Sequence, residues 1–334
     1  MSKPATIISK SDGAQPGAWR GLIGDSERMR KVYREVRQVA ARRHPVLIIG
    51  ESGTGKELVA RAIHAQGPWH GQPFVPVDCG ALTPTLIESE LFGHVRGAFT
   101  GATQSRLGLL AAAGSGTVFL DEITELPLEL QPKLLRALQE REIRPLGSNL
   151  WTPIEARIIA ATNQDLEQAV KRGSMRKDLY FRVKVVPIVL PPLRERVTDI
   201  PLLVAHFLAQ YGSKEAGFKG ISPEAMARLR SYNWPGNVRE LENAIQRSLA
   251  LAAPPEIQVR DLPTSVLNYF APGPSAEMPT RLEELERQAI LQALEATGGD
   301  RLRAARLLGI SKTTIYRKLK EYGVVNEATF PPSC

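Results

Sequence analysis

The feature that most constrains this chain is an apolar run, Val46-Leu47-Ile48-Ile49, that breaks directly into Gly50-Glu51-Ser52-Gly53-Thr54-Gly55-Lys56-Glu57. A helical pattern follows, with Leu58, Ala62 and Ile63 on its apolar side. Strand, glycine-rich turn, lysine and helix together make a phosphate cradle. The glycines let backbone N–H groups turn inward, the helix start adds its positive end, and the lysine reaches the terminal phosphates. The generic motif closes with Ser or Thr, which holds magnesium; here Glu57 stands in that place.

A Gly-rich turn alone has a bland reading as a strand-to-helix connection. The run Gly116-Thr117-Val118-Phe119-Leu120-Asp121-Glu122 removes it, because a buried strand there ends in two carboxylates. Phosphoryl transfer to water needs one carboxylate for the metal and one to position or deprotonate the attacking water. Asp121 is assigned to the metal and Glu122 to the water, which makes the chain an ATPase using ATP and Mg2+.

Further apolar runs at 74–77, 118–120, 158–161 and 185–189 read as strands, separated by helical patterns such as 29–39 and 130–140. Short apolar strands spaced by helices predict βαβ units and a mostly parallel sheet flanked by helices. Pro191-Pro192 breaks that pattern, and 200–211, 223–232 and 238–251 read as the helices of a smaller α-helical subdomain. The expected division is a mobile lead-in (1–20), an α/β ATPase subdomain (21–190), a helical lid (191–265), a linker (266–280), a small all-α unit (281–324) and a tail (325–334).

At 334 residues, of which 43% are hydrophobic and 23% charged, the chain is long enough for about two domains and is neither fibrous nor wholly disordered. No apolar run reaches the roughly 18 residues of a membrane span, and no signal-peptide core opens the chain, so a cytoplasmic location is expected. Cys79 and Cys334 cannot by themselves build a disulfide framework or a zinc site.

With these motifs placed, the chain closely resembles the bacterial enhancer-binding proteins, the AAA+ activators of sigma-54 RNA polymerase. The most specific signature is Gly97-Ala98-Phe99-Thr100-Gly101-Ala102, a glycine-hinged loop carrying an aromatic residue and a threonine. Segments 126–140, 158–163, 190–196 and 233–243 are similar as well. The resemblance implies that the 97–102 loop contacts sigma-54, with Phe99 exposed as an anchor. It also implies that Asn163 senses the γ-phosphate and that Arg239 is a second sensor. Arg176 and Arg182 would reach the neighbouring subunit's nucleotide, so the assembly would be a ring, a hexamer. One position departs: the family usually has Asn where Asp78 stands. An amide can donate to the Glu122 carboxylate and an ionised aspartate cannot, so Asp78 is expected either to share a proton with Glu122 or to leave it unrestrained. About twenty residues precede the ATPase pattern, and a separate regulatory protein is the expected source of control.

Residues 282–294 carry an apolar face, Gly298-Gly299 ends that helix, and 302–308 mark a second one closed by Gly309. Ser311 then caps a third. This helix-turn-helix layout resembles the Fis-type DNA-binding domain. Between Asp300 and Lys320 stand seven Lys/Arg against one acid, which concentrates the chain's net charge of +8 there and fits a duplex-DNA partner. Ser311, Lys312, Thr313, Thr314 and Arg317 are expected at bases or phosphates, and Arg301, Arg303 and Lys320 at the backbone. Pairing of two copies through the first helix makes the upstream DNA site an inverted repeat.

Overall fold

The computed structural model describes residues 18–19, 21–81, 83–212, 220–253, 255–269 and 282–322. They fall into two compact units divided after Tyr269.

The first unit is built on five parallel strands: β1 (Val46–Ile49), β2 (Phe74–Asp78), β3 (Thr117–Asp121), β4 (Arg157–Thr162) and β5 (Val186–Val189). Their spatial order is β5-β1-β4-β3-β2. Every apolar run read from the sequence is one of these strands. The inner strands β1, β3 and β4 are apolar along most of their length because helices cover both faces there, while the edge strands β2 and β5 keep exposed positions such as Pro76, Pro187 and Val189. Leu47, Val118, Leu120, Ile158 and Ala160 feed one core, beneath α3 (Pro84–Phe92) and α4 (Gln131–Gln139). The alternate residues Val46, Ile48, Phe119, Ile159 and Ala161 feed the other, beneath α1 (Glu27–Ala40) and α2 (Lys56–Gln66). Each fully buried Leu or Ile in these layers contributes about 1.5–3 kcal/mol.

Parallel register aligns the carboxyl ends of the central strands. Ile49 lies opposite Thr162, Ala160 opposite Leu120, and Asp121 opposite Asp78. The loops that follow β1, β3 and β4 therefore open on one edge of the sheet, where open α/β sheets bind ligands.

A short helix, α5 (Lys177–Val183), precedes β5. After β5 the chain enters the helical lid: α6 (Ile200–Phe207), α7 (Pro223–Ser231) and α8 (Asn237–Leu251). They pack around Trp234, which is wholly buried and donates its indole N–H to Leu229 O at 2.7 Å. The helix read over 200–211 ends at Phe207, and a wider π-helical turn, Leu208–Gly212, follows. In that turn the Tyr211 ring stacks on Phe207 and its hydroxyl donates to Glu242.

Two boundaries differ from the sequence reading. Ala18–Trp19, assigned to the lead-in, pairs antiparallel with Leu22–Ile23. The linker cannot begin at residue 266, because Thr264–Leu267 is helical and Val266 is buried in the lid core. Residues 1–17, 270–281 and the tail lie outside the described residues.

The second unit holds α9 (Leu282–Ala296), α10 (Arg301–Leu307) and α11 (Lys312–Glu321). Ile290, Ala293, Ala304, Ala305, Ile315 and Leu319 form its core. Asp300 caps α10 by accepting from the N–H groups of Leu302 and Arg303. Ser311 caps α11 by accepting from Thr314 N at 3.1 Å, as the sequence predicts.

Candidate active site

The phosphate loop turns through Gly53 and Gly55, whose φ values of 75° and 103° lie in the left-handed region that glycine occupies without steric cost. Gly53 is fixed a second time by close approach, since a Cβ there would stand 2.2 Å from Gly236 O in the lid. Gly50 N donates to Thr162 O at 3.1 Å, which ties the start of the loop to β4. Thr54 Oγ1 donates to Glu51 O at 2.7 Å and closes the turn.

Lys56 opens α2 and is nearly buried. Its Nζ donates to Gly50 O at 3.1 Å and to Glu122 Oε1 at 3.0 Å. The other Glu122 oxygen accepts from the backbone N–H of Asn163 at 3.0 Å. The loop after β1, the acid after β3 and the residue after β4 thus converge on one carboxylate. Glu122 has φ 48° and ψ 55°, a left-handed conformation that costs a non-glycine residue about 1–2 kcal/mol. That strain turns the chain sharply off β3 and brings the side chain under Lys56.

Burial pushes the Asp121 carboxyl up from its usual range; Lys56 opposes the shift and the Glu122 charge adds to it. Asp121 Oδ1 accepts from Glu122 N at 3.1 Å. A half-buried carboxylate at a strand end is a hard oxygen donor of the kind Mg2+ takes, and a cation there offsets the cost of its burial. Glu57, where the generic motif has Ser or Thr, pairs with Arg61 on the exposed face of α2 at 2.7 Å.

The sequence leaves two alternatives for Asp78, a proton shared with Glu122 or no restraint on it. The exposed Asp78 carboxylate accepts from Gly80 N at 2.9 Å, and no hydrogen bond joins it to Glu122 among the described residues. A shared proton is therefore not what the fold builds. Glu122 is held instead by Lys56 and Asn163 N. Cys79 beside it is buried, and burial pushes its thiol up to about 12, so it is inert as a nucleophile.

The lid joins the loop directly. Arg239 Nη1 donates to Ser52 Oγ at 3.2 Å, and the N–H groups of Val238 and Arg239 donate to Gly53 O at 3.0 and 3.3 Å. Glu51 takes a two-pronged ion pair from Arg194 at 2.6 and 2.8 Å and a further hydrogen bond from Asn237 at 3.1 Å. Arg194 holds the Glu51 carboxyl below its usual range. Sequence reasoning missed Arg194 and Asn237; the only signal was their place in the 190–196 and 233–243 segments. A cavity of about 370 Å³ beside the loop is lined by Gly50, Glu51, Asn163, Leu190, Pro192 and Arg194 among others.

The remaining assigned residues stand elsewhere. Arg176 grips Asp178 at 2.7 and 3.1 Å, and Arg182 donates to Leu138 O at 2.9 and 3.3 Å. Both are exposed, with no described bond to their own phosphate loop. The 97–102 loop tips a hairpin whose strands, Gly93–His94 and Arg106–Leu107, pair antiparallel, and Gly97 N donates to Ala102 O at 2.9 Å. Thr100 is exposed. Phe99 is half-buried rather than free, its ring edge-on to His94 at 5.0 Å. A second hairpin, Glu142–Ile143 with Thr152–Pro153, was not read from the sequence. The turn it carries braces the first hairpin: Val95 N donates to Leu146 O at 3.0 Å and Leu146 N to Gly93 O at 2.9 Å.

In the second unit Ser311, Lys312, Thr313 and Arg317 are exposed and Thr314 is half-buried. Arg301 lies 5.3 Å from the Tyr316 ring centroid and Arg303 stands 3.7 Å from Asp300. The Lys320 side chain lies outside the described residues.

A strand-end phosphate loop, an acid pair at the end of β3 with β4 between the two, and a helical lid tied to the loop define a P-loop ATPase of the AAA+ class. Models of known families match in the same order along the chain. The sigma-54 interaction domain covers residues 22–189, the AAA+ ATPase lid domain 194–277, and the bacterial regulatory protein Fis family 281–322. The transcriptional regulatory protein ZraR of Escherichia coli strain K12 is 46% identical over 300 residues, covering 90% of this chain and 68% of its own length. The regulatory protein AtoC of the same strain is 43% identical, covering 92% of this chain and 68% of its own. The crystal structure of NtrX from Brucella abortus in complex with ADP is similar at a TM-score of 0.69 and 35% identity, over 90% of this chain and 70% of that one. The chain belongs to the sigma-54-dependent transcription activators, with an ATPase core and a Fis-type DNA-binding unit. It binds nucleotide, hydrolyses ATP, and acts on sigma-54 transcription from DNA that it binds itself. No helix among the described residues is long and apolar enough to cross a membrane.

Proposed function

We propose that ATP lies along residues 50–57 with its terminal phosphates on Lys56 and the loop N–H groups, while Glu122 orients the attacking water. Asn163 reads the γ-phosphate and Arg239 reads it from the lid. Mg2+ held by Asp121 would neutralise charge on the phosphate oxygens. One observation carries this reading: Lys56 and Asn163 N grip opposite oxygens of Glu122 at 3.0 Å each. A phosphate on Lys56 competes for the same ammonium, so seating the substrate frees Glu122 to act on the attacking water.

Arg176 and Arg182 stand clear of their own loop, and we assign both to the nucleotide of the adjacent subunit in a hexameric ring in the cytoplasm. Arginine supplied across an interface stabilises charge developing on the transferred phosphoryl group. Hydrolysis then moves the 97–102 loop against sigma-54, with Thr100 presented and Phe99 braced by His94. Ser311, Lys312, Thr313, Thr314 and Arg317 read one half of an inverted repeat, and a second copy reads the other. The chain divides into an α/β ATPase subdomain, its lid and the DNA-binding unit.

A mixing experiment tests the shared site. Glu122→Gln and Arg182→Ala subunits are each expected to be inactive alone and to regain ATP hydrolysis when mixed. Interfaces that join an intact Glu122 to an intact Arg182 form only in the mixture. Hydrolysis by Arg182→Ala alone, or no recovery on mixing, contradicts the shared site.

A further inference from the structure

We infer that Asn237 is a positioning residue for ATP hydrolysis, fastening the phosphate loop to the lid through Glu51 and Arg194. Asn237 has no exposed surface and φ 53°, so its position demands a residue at ease in the left-handed region. Its amide is used at both ends. Oδ1 accepts from Leu193 N at 2.8 Å, while Nδ2 donates to Glu51 Oε2 at 3.1 Å and to Ser52 O at 3.0 Å. Glycine would satisfy the backbone and lose all three bonds. Aspartate would keep the acceptor, lose the donor and set a second negative charge against Glu51.

Four segments meet at this side chain: the phosphate loop, the Leu193 turn that leaves β5, the Pro235-Gly236 turn and the start of α8. Arg194 closes the cluster from the far side of Glu51. The carbonyls of Ser52 and Gly53 are thus committed to the lid, while the N–H groups of the same loop are the ones that face phosphate. The lid thereby adds to the bonds of Gly50 N to Thr162 O and Thr54 Oγ1 to Glu51 O that hold the loop's curvature from within the α/β subdomain. Glu51 in this arrangement serves the lid joint rather than the nucleotide.

The experiment measures KM for ATP, kcat and thermal unfolding on the full chain. Losing a hydrogen bond to the part-exposed Glu51 carboxylate and setting a second carboxylate beside it is worth about tenfold in affinity. Asn237→Asp should therefore raise KM for ATP about tenfold and leave kcat within about threefold, because Lys56, Asp121 and Glu122 are untouched. Adding Glu51→Gln to that variant restores the bond to residue 51 with donor and acceptor exchanged but not the one to Ser52 O, so the rise in KM caused by Asn237→Asp should be at least about threefold smaller in the Glu51→Gln background than in the parent. A role confined to stability would lower the melting temperature without moving KM and would show no such rescue. An unchanged KM, or effects of the two substitutions that simply multiply, overturns the inference. If Asn237→Asp fails to fold, Arg194→Ala and Glu51→Ala decide. Equal rises in KM, no larger in the double variant, support the joint; independent rises or none refute it.

Discussion

Replacing Gly53 by alanine puts a number on the contact between phosphate loop and lid. At φ 75° the left-handed backbone costs an alanine about 1–2 kcal/mol. The new Cβ, 2.2 Å from Gly236 O, must retreat by about 1 Å to reach ordinary contact. That retreat draws Gly53 O away from Val238 N and Arg239 N, now at 3.0 and 3.3 Å, and each bond is worth about 0.5–1.5 kcal/mol. The sum is about 2–5 kcal/mol against the joined arrangement. Because the joint can open without unfolding either subdomain, the loss appears as weaker nucleotide binding, and 2 kcal/mol is about 30-fold. Steady-state hydrolysis against ATP concentration measures it, with Gly71→Ala as a control because no atom lies within 4 Å of a Cβ there. A KM for Gly53→Ala within about threefold of the parent would refute the reasoning.

Three other outcomes follow from the same geometry. Burial raises the folded-state pKa of Asp121 above the ordinary 3.8, so its ionised form lowers stability at neutral pH. Asp121→Asn should raise the thermal midpoint there, with a gain that shrinks as the pH falls through that raised pKa and vanishes below 3.8, where the native carboxyl is protonated in both folded and unfolded chains. Thermal unfolding across that range checks it, and a gain that persists in acid contradicts it. Asp78→Asn supplies an amide able to donate towards Glu122 and should lower basal ATP hydrolysis measured without sigma-54; an unchanged rate means that Asp78 does not set the restraint on the base. In the DNA-binding unit, Arg317→Ala should reduce the salt dependence of DNA affinity by about one unit of slope. Lys318→Ala should leave that slope unchanged, because Lys318 Nζ is held by Glu286 at 2.8 Å.

Much of this architecture is legible in the residues themselves. The strands were visible because each centres on a short apolar run, most complete in the inner strands where helices cover both faces of the sheet, and β1 has the bounds read for it. The helices of the DNA-binding unit were visible because Gly298-Gly299, Gly309 and Ser311 punctuate them. The second hairpin was not, since its strands are two residues each and its order comes from the neighbouring hairpin rather than from its own pattern. The roles of Glu51, Arg194 and Asn237 were hidden for a related reason. A polar residue in a turn carries no periodicity, and Arg194 and Glu51 are 143 positions apart in the chain. Phe99 read as an open anchor because nothing in the loop sequence shows the His94 ring folding against it. The departure at Asp78 was plain from the residue type, but where its carboxylate turns depended on the Gly80 N–H two residues on.

The central claim is that nucleotide chemistry in this chain drives the 97–102 loop onto sigma-54. The most direct test combines the purified chain, sigma-54 and ADP with aluminium fluoride, which stands in for the transferring phosphoryl group, and follows co-migration on a native gel. The account predicts a complex with the parent chain that is lost in Thr100→Ala. No complex despite measurable ATP hydrolysis, or a complex that Thr100→Ala leaves intact, would contradict it.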